Sequence, residues 1–207
     1  MRVWIISSGE AAIKSPGRGT FGEYNAWRER ALDGGVEKTE GHRVEASGRK
    51  LLCSPRLSAR ETAERLVSGA EADIVPLLDE LPRPQTRSGI SLPFWLWGIL
   101  VWLRSLFGEG KKEARRRADA LIDRLESEGK DCILLSHPAM IAALMDALRV
   151  RGYCAQRTGF GRVRPFEQML LSRRDEHCGG CAHNCLLANP GCSIGRDKAA
   201  RQKAARI

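Results

Sequence analysis

The chain has 207 residues, of which 43% are hydrophobic and 29% are charged, and its formal net charge is +9. This length suffices for one full core with a small appendage, and the apolar content excludes a disordered chain. The basic surplus favours anionic partners such as phosphorylated ligands, nucleic acid or an acidic membrane surface. No secretory signal opens the sequence, and the apolar stretch 92–107 is shorter than the roughly 20 residues that cross a bilayer. We therefore expect a cytoplasmic protein that is not transmembrane.

Strand-like and helix-like segments alternate along the first 172 residues. Apolar runs without a helical period predict buried strands at 2–7, 50–53, 73–76, 132–137 and 167–172. Amphipathic patterns predict helices at 57–67 and 111–128, Pro138 at a first-turn position predicts a helix over 138–150, and a short helix is expected at about 22–32. The alternation predicts an α/β fold, with a mostly parallel sheet and helices on both faces. We expect this domain to cover residues 1–173 and a small tail to cover residues 174–207.

Segment 89–108 contains three of the five tryptophans, Trp95, Trp97 and Trp102. We expect a helix that is buried or partly covered by the next segment. The alternative is that residues 92–107 form an exposed apolar patch for a protein partner or a membrane surface. The three tryptophans do not share one helical face, so part of this segment can remain outside.

Polar residues follow three of the predicted strands. Ser7-Ser8-Gly9-Glu10 ends the first strand, Ser54-Pro55 ends the second, and Ser136-His137 ends the strand at 132–137. Ligands of such sheets bind beyond the carboxyl ends of the strands. These residues are therefore expected to lie together at one edge of the sheet.

This ordered set of landmarks resembles the histidine phosphatase superfamily, which has the phosphoglycerate-mutase-like fold. In that family the first strand ends in Arg-His-Gly-Glu, where this chain has residues 7–10. The family motif Ser-Pro-x-x-Arg-Ala-x-x-Thr-Ala corresponds to residues 54–63, and its loop acid corresponds to Glu80. A small residue and a histidine end the late strand, as Ser136 and His137 do here. The resemblance covers about residues 1–172 and implies a phosphoric ester hydrolase wherever the family's catalytic residues are kept.

Three of the family's phosphate-handling residues are replaced in this chain. Its nucleophilic histidine corresponds to Ser8, and its two phosphate-clamping arginines correspond to Ser7 and Ser58. The loss of two charge-assisted contacts, worth ~1.5–3 kcal/mol each, weakens phosphate binding by roughly two to four powers of ten. The resemblance thus implies a degenerate phosphate pocket formed by Ser7, Ser8, Gly9, Arg56 and Ser58. We expect a pseudoenzyme that acts as a binding or regulatory module, with His137 and Glu80 as vestigial catalytic residues.

Other residues could supply the positive charge that is missing at Ser7 and Ser58. Lys14, Arg56 and Arg60 are the candidates. Arg60 stands two helical positions after Ser58 and should point away from it, so Arg56 is the better candidate. Two alternative functions stay open: an active hydrolase with an altered mechanism that uses Ser8 and His137, and a basic adaptor for nucleic acid or a membrane surface.

Four of the seven cysteines, Cys178, Cys181, Cys185 and Cys192, have the spacing C-x2-C-x3-C-x6-C. Four thiols this close in a cytosolic chain favour a metal over disulfides. Thiolate ligands suit zinc and also an iron–sulfur cluster; zinc is slightly preferred on abundance alone. His177 and His183 could replace a cysteine as ligand, but His177 is expected to be a solvated loop histidine. The basic residues after Cys192 predict either a short helix or a frayed terminus, and the lack of aromatic residues there disfavours nucleic-acid binding.

Overall fold

The computed structural model describes residues 1–37, 43–81, 89–105, 109–155, 165–177, 185–188, 190 and 192–204. The strands of these residues are β1 Val3–Ser7, β2 Arg18–Gly19, β3 Val44–Glu45, β4 Lys50–Cys53, β5 Val67–Ser68, β6 Ala72–Ile74, β7 Leu92–Pro93, β8 Cys132–Ser136, β9 Tyr153–Ala155 and β10 Gln168–Arg173. The helices are α1 Phe21–Asp33, α2 Leu57–Leu66, α3 Phe94–Ser105, α4 Glu109–Glu128, α5 Pro138–Val150 and α6 Ser193–Ala204. Short 3₁₀ turns cover Pro76–Leu78 and Arg174–Glu176.

Six of the strands form one mixed sheet with the order β6-β4-β8-β1-β10-β9. Strand β4 is parallel to both β6 and β8, and β8 is parallel to β1. The antiparallel pairs are β1 with β10 and β10 with β9. The predicted α/β architecture with a mostly parallel sheet is therefore confirmed, and an antiparallel edge is added to it.

Helices cover both faces of this sheet, because neighbouring strand residues point to opposite sides. On one face, Ile133 and Leu135 of β8 pack in a cluster with Ala63 and Leu66 of α2. On the other face, Leu134 belongs to a cluster built largely from α4 and α5, which includes Leu121, Ile122, Met140 and Leu144. The amphipathic patterns at 57–67 and 111–128 correctly predicted that α2 and α4 each bury an apolar face.

A separate aromatic cluster joins α1 to α3. Phe21, Tyr24, Phe94 and Trp97 are buried, and the Phe21 and Trp97 ring centroids lie 5.1 Å apart. The Trp97 indole N–H donates to the Gly19 carbonyl oxygen at 2.9 Å. Trp97 is buried and Trp95 is 67% exposed, which agrees with the expected helix that is partly covered, while the Trp102 side chain lies outside the described part of the structure. No helix within the described parts of the chain is long and apolar enough to cross a membrane.

The largest differences from the sequence prediction are short elements. Strands β2, β3, β5 and β7 have two residues each, which is too few to show a period. Helix α1 begins at a capping box in which Thr20 and Glu23 bond each other's backbone N–H groups. The segment after Cys192 forms helix α6, the less expected of the two predicted outcomes.

The start of the tail is attached to the sheet. His177 is 1% exposed, and its Nε2 lies 2.8 Å from the Ser172 hydroxyl oxygen, so the expectation of a solvated histidine is wrong. His177 also forms an isolated bridge with Leu186, and the next residue, Leu187, is buried and donates its N–H to the Glu176 carbonyl. Cys178 and Cys181 lie outside the described residues, so half of the predicted metal-binding cysteines have no described position.

Candidate ligand site at the strand ends

Backbone hydrogen bonds continue past the ends of three neighbouring strands. The Ser8 N–H donates to the Ser136 carbonyl and the Ser54 N–H donates to the Leu135 carbonyl, both at 2.9 Å. The three polar sequences at the ends of β1, β4 and β8 are therefore held side by side at one sheet edge, as predicted.

Ser8 and His137 form the centre of this edge. The Ser8 Oγ lies 2.8 Å from the His137 Nδ1, and both residues are buried. The other ring nitrogen, Nε2, is buried without a hydrogen-bond partner. Burial lowers the pKa of His137; Glu80 acts in the opposite direction and Arg28 adds to the lowering. The ring is therefore neutral near pH 7 and can accept a proton.

The first turns of α2 contribute hydroxyl groups beside Gly9. The Thr62 hydroxyl donates to the Ser58 carbonyl at 2.6 Å and accepts from the Gly9 N–H at 2.9 Å. Thr62 thus fixes α2 against the end of β1. The Ser58 hydroxyl is buried and has no partner, whereas the Ser7 hydroxyl donates to the Ser8 carbonyl at 3.4 Å.

Glu80 reaches the site through the 3₁₀ turn Pro76–Leu78. The Ser136 hydroxyl donates to the Leu78 carbonyl at 2.7 Å, which ties this turn to the end of β8. The Glu80 N–H then donates to the Asp79 Oδ1 at 2.8 Å. Glu80 is 7% exposed, and its Oε2 is buried without a partner, so the predicted acid is present and unpaired on that oxygen.

Arg56, the preferred candidate for restoring positive charge, is already surrounded by carboxylates. Its Nε donates to Asp79 at 2.8 Å, and its Nη1 lies 3.0 Å from Glu29 and 3.1 Å from Asp33. Burial disfavours the charged form of Arg56, but the Asp79 hydrogen bond and the other two carboxylates outweigh it and raise its pKa. Arg56 therefore joins α1, α2 and the Asp79 loop, and its charge is balanced there.

The other two predicted cations face solvent. Arg60 is exposed, as its helical position predicted. The Lys14 side chain is 87% exposed, and its ammonium lies 3.9 Å from Glu37.

Arg28, a residue of α1 beside the site, was not predicted from the sequence. Its Nε is buried without a partner, and its charge acts on His137. Arg28 stands four residues after Tyr24 and three before Ala31, so it shares the helix face of these buried residues. A charged residue within an apolar stripe was the signal that could have revealed it.

Phe166 packs against Gly9 beside this edge. A Cβ atom on Gly9 would overlap the Phe166 ring, and Phe166 itself has a φ of 59°, which is rare for a non-glycine residue. The adjacent Glu167 carbonyl accepts the Ser7 N–H at 2.9 Å, which holds the Phe166 segment beside β1.

Taken together, the site is a buried polar cluster with unmet hydrogen-bonding capacity. Its unpartnered buried atoms are Ser58 Oγ, Glu80 Oε2 and His137 Nε2, and α1 has two further such atoms, Asn25 Oδ1 and Arg28 Nε. Buried polar atoms in native proteins are nearly always paired, so such a set indicates a place for a polar ligand or bound water. Over the described ranges, no group of three or more His, Cys, Asp or Glu side chains could hold a metal ion.

The solved structures that are similar to this chain include two phosphatases. No family model matches the chain, and no curated protein sequence matches it. The ecdysone phosphate phosphatase EPPase from Bombix mori, solved with tungstate, aligns with 82% of this chain and 88% of its own, at 13% identity and a TM-score of 0.45. The protein histidine phosphatase SixA, also solved with tungstate, aligns with 80% of this chain and 84% of its own, at 18% identity and a TM-score of 0.35.

Proposed function

We propose that this chain is a degenerate member of the histidine phosphatase superfamily that binds a small anionic ligand and does not transfer phosphate. One observation carries the proposal. The residues that correspond to the family's landmarks, Ser8, Ser58, Glu80 and His137, are buried at one sheet edge, and all except Ser8 keep an unpartnered polar atom there.

The absence of phosphate transfer follows from the side chains at that edge. The position of the nucleophilic histidine holds Ser8, and both clamp positions hold serines, which carry no charge. The one predicted replacement cation near the edge, Arg56, is balanced by Asp79, Glu29 and Asp33. A phosphate dianion would lack the paired guanidinium groups that stabilise transferring phosphoryl groups.

Hydrolysis of p-nitrophenyl phosphate tests the absence of transfer. The protein is expected to give no turnover above protein-free buffer at neutral pH. Turnover that disappears in His137→Ala would refute the pseudoenzyme assignment.

Restoration of the family residues tests the pocket itself. The combined variant Ser7→Arg, Ser8→His and Ser58→Arg is expected to bind inorganic phosphate roughly a hundredfold more tightly, measured by calorimetry. The control variant, Ser68→Arg with Ser91→Arg, adds two charges at exposed positions and should bind no better than the parent protein. An equal gain in both variants would mean that net charge, and not this pocket, controls binding.

A second candidate function rests on the 2.8 Å contact between the Ser8 Oγ and the His137 Nδ1. A neutral histidine at this distance could take the Ser8 proton while Oγ attacks phosphorus and the ester oxygen leaves. Such bases are usually oriented by a third group, but the His137 Nε2 has no partner. A phosphoserine at Ser8, detected by mass spectrometry after incubation with an aryl phosphate and lost in Ser8→Ala, would establish this function.

We further propose that Cys178, Cys181, Cys185 and Cys192 together bind one metal centre, either zinc or an iron–sulfur cluster. Cys185 and Cys192 are half-buried free thiols. The Cys192 sulfur accepts a hydrogen bond from the Gly195 N–H at 3.4 Å, in the first turn of α6. Hydrogen bonds to a ligand atom orient it toward a metal, so this cysteine fits a metal ligand. Bound metal would supply folding energy that the small tail lacks.

Anaerobic purification followed by elemental analysis tests this proposal. A visible absorbance band with iron indicates a cluster, and a colourless protein with zinc indicates a zinc site. Cys192→Ser is expected to lose most of the metal, while Cys154→Ser, which changes a free thiol in β9, should retain it. Metal-free protein under these conditions, or equal retention by both variants, would contradict the proposal.

A further inference from the structure

One cationic side chain beside the strand-end site keeps a buried nitrogen without a partner among the described residues. Half-buried Arg28 shares the face of α1 with the buried Tyr24 and Ala31, and its Nε is shielded from solvent and unpartnered. One turn earlier on the same helix, the Asn25 amide oxygen is buried and equally unpartnered. A buried guanidinium N–H is normally paired, so this one is available to a ligand.

The unpartnered groups at the strand-end site define the chemistry of that ligand. His137 is 1% exposed and Ser58 is 3% exposed, and each keeps a polar atom without a partner. They follow β8 and begin α2, respectively. Glu29, the residue after Arg28, lies 3.0 Å from Arg56 at the start of α2, which brings this part of α1 beside the site, and the charge of Arg28 acts on the His137 ring. Hydroxyl and imidazole groups are neutral hydrogen-bonding partners for an oxygen-rich ligand.

The formal charges at and around the site add up to a net negative charge before a ligand binds. Arg28 contributes one positive charge and Glu80 one negative charge. Arg56 and its three carboxylates together contribute two negative charges, and burial keeps His137 neutral near pH 7. A phosphate monoester carries close to two negative charges, and Glu80 would repel it. A carboxylate carries one charge and matches the planar fork of a single guanidinium.

We infer that Arg28 is the ligand-binding cation of this site and that it selects a singly charged carboxylate over a doubly charged phosphate monoester. This inference rests on the proposed function, because it names the ligand class of the same pocket. Because Ser7 and Ser58 replace the family's two phosphate-clamping arginines, this pocket thus binds a carboxylate in place of a phosphate.

A matched set of small probes tests the inference. Acetate, acetamide and methyl phosphate each carry one methyl group and differ in charge. Each is titrated into the full chain at about pH 8, where the phosphate ester is doubly charged, at constant ionic strength. Binding is followed by the NMR signals of the His137 ring, assigned with His137→Gln. Three variants are compared: Arg28→Met, Arg28→Lys and Arg30→Met, the last being an exposed arginine of the same helix.

Acetate is expected to bind more tightly than acetamide or methyl phosphate. Arg28→Met should weaken acetate about tenfold to a hundredfold and leave acetamide almost unchanged. Arg28→Lys should keep part of the preference for acetate over the other two probes, and Arg30→Met should keep all of that preference. If methyl phosphate binds more tightly than acetate, or if Arg28→Met leaves acetate binding intact, the inference is wrong while the binding function survives. If none of the probes shifts the His137 signal, the proposed binding function fails as well.

Discussion

The buried His137 makes a specific prediction about stability and pH. Its pKa is below the ordinary value of 6.5 in the folded chain, because burial disfavours the charged ring. The carboxylates of Glu80 and Asp79 oppose this effect, and the cations of Arg28 and Arg56 reinforce it. An unfolded chain takes up a proton at this histidine as the pH falls below about 6.5, and the folded chain does not. Stability is therefore fully present above this pH and is lost as the pH falls.

The magnitude follows from the linkage between protons and folding. Each pH unit through which His137 stays neutral while the unfolded chain is protonated costs about 1.4 kcal/mol. The assay is urea unfolding at a series of pH values between about 5 and 7.5 at one ionic strength. His137→Gln is expected to reduce the pH dependence of the unfolding free energy by about 1.4 kcal/mol per pH unit below pH 6.5, whatever its effect on absolute stability.

A second variant separates this site from other titrating groups. His177→Gln removes another buried histidine and should retain the slope that His137 produces. Carboxylates distant from His137 titrate alike in all three proteins and cancel in the comparison. Parallel curves for the parent chain and His137→Gln would refute the reasoning, because they would mean that the ring is protonated in the folded chain.

Two further predictions concern single side chains. Thr62→Val removes a fully buried hydroxyl that bonds Gly9 and Ser58, and should destabilise the protein by about 1–3 kcal/mol in urea unfolding, whereas Thr62→Ser should cost less because it keeps the hydroxyl. An equal loss in both variants would assign the effect to the methyl group. Trp97→Ala should cost about 3–5 kcal/mol, and Trp95→Ala should change stability by less than about 0.5 kcal/mol, because only Trp97 is buried. Similar losses at the two positions would place both indoles in the core.

The central strands of the sheet and the polar residues at their ends could be predicted from the sequence, because both depend on local patterns. Apolar runs marked the central strands, and the serines and the histidine that end them had to lie at one edge once the strands were parallel. The pairing of β8 with β1 and β4 places them there. The division at residue 173 and the metal ligands of the tail stay predictions.

The interactions that sequence could not predict join residues far apart in the chain. Nothing local indicates that Arg56 is bound by Glu29, Asp33 and Asp79, since the pairing depends on how α1 packs beside α2. The buried His177 contacts the Ser172 hydroxyl of β10 through its Nε2, and this contact between side chains cannot be predicted from a local pattern. For Arg28, the sequence shows its place in the apolar stripe of α1. It does not show that the Arg28 Nε is buried without a partner.

The contact between Gly9 and Phe166 has a consequence for sequence variation. The ring occupies the volume in which a side chain at position 9 would begin, and the left-handed backbone of Phe166 holds it there. Gly9→Ala therefore requires either that the Phe166 ring move or that a smaller residue stand at position 166, and a glycine there would also relieve the backbone. Among homologous chains, these two positions are expected to covary, although the sequence separates them by more than 150 residues.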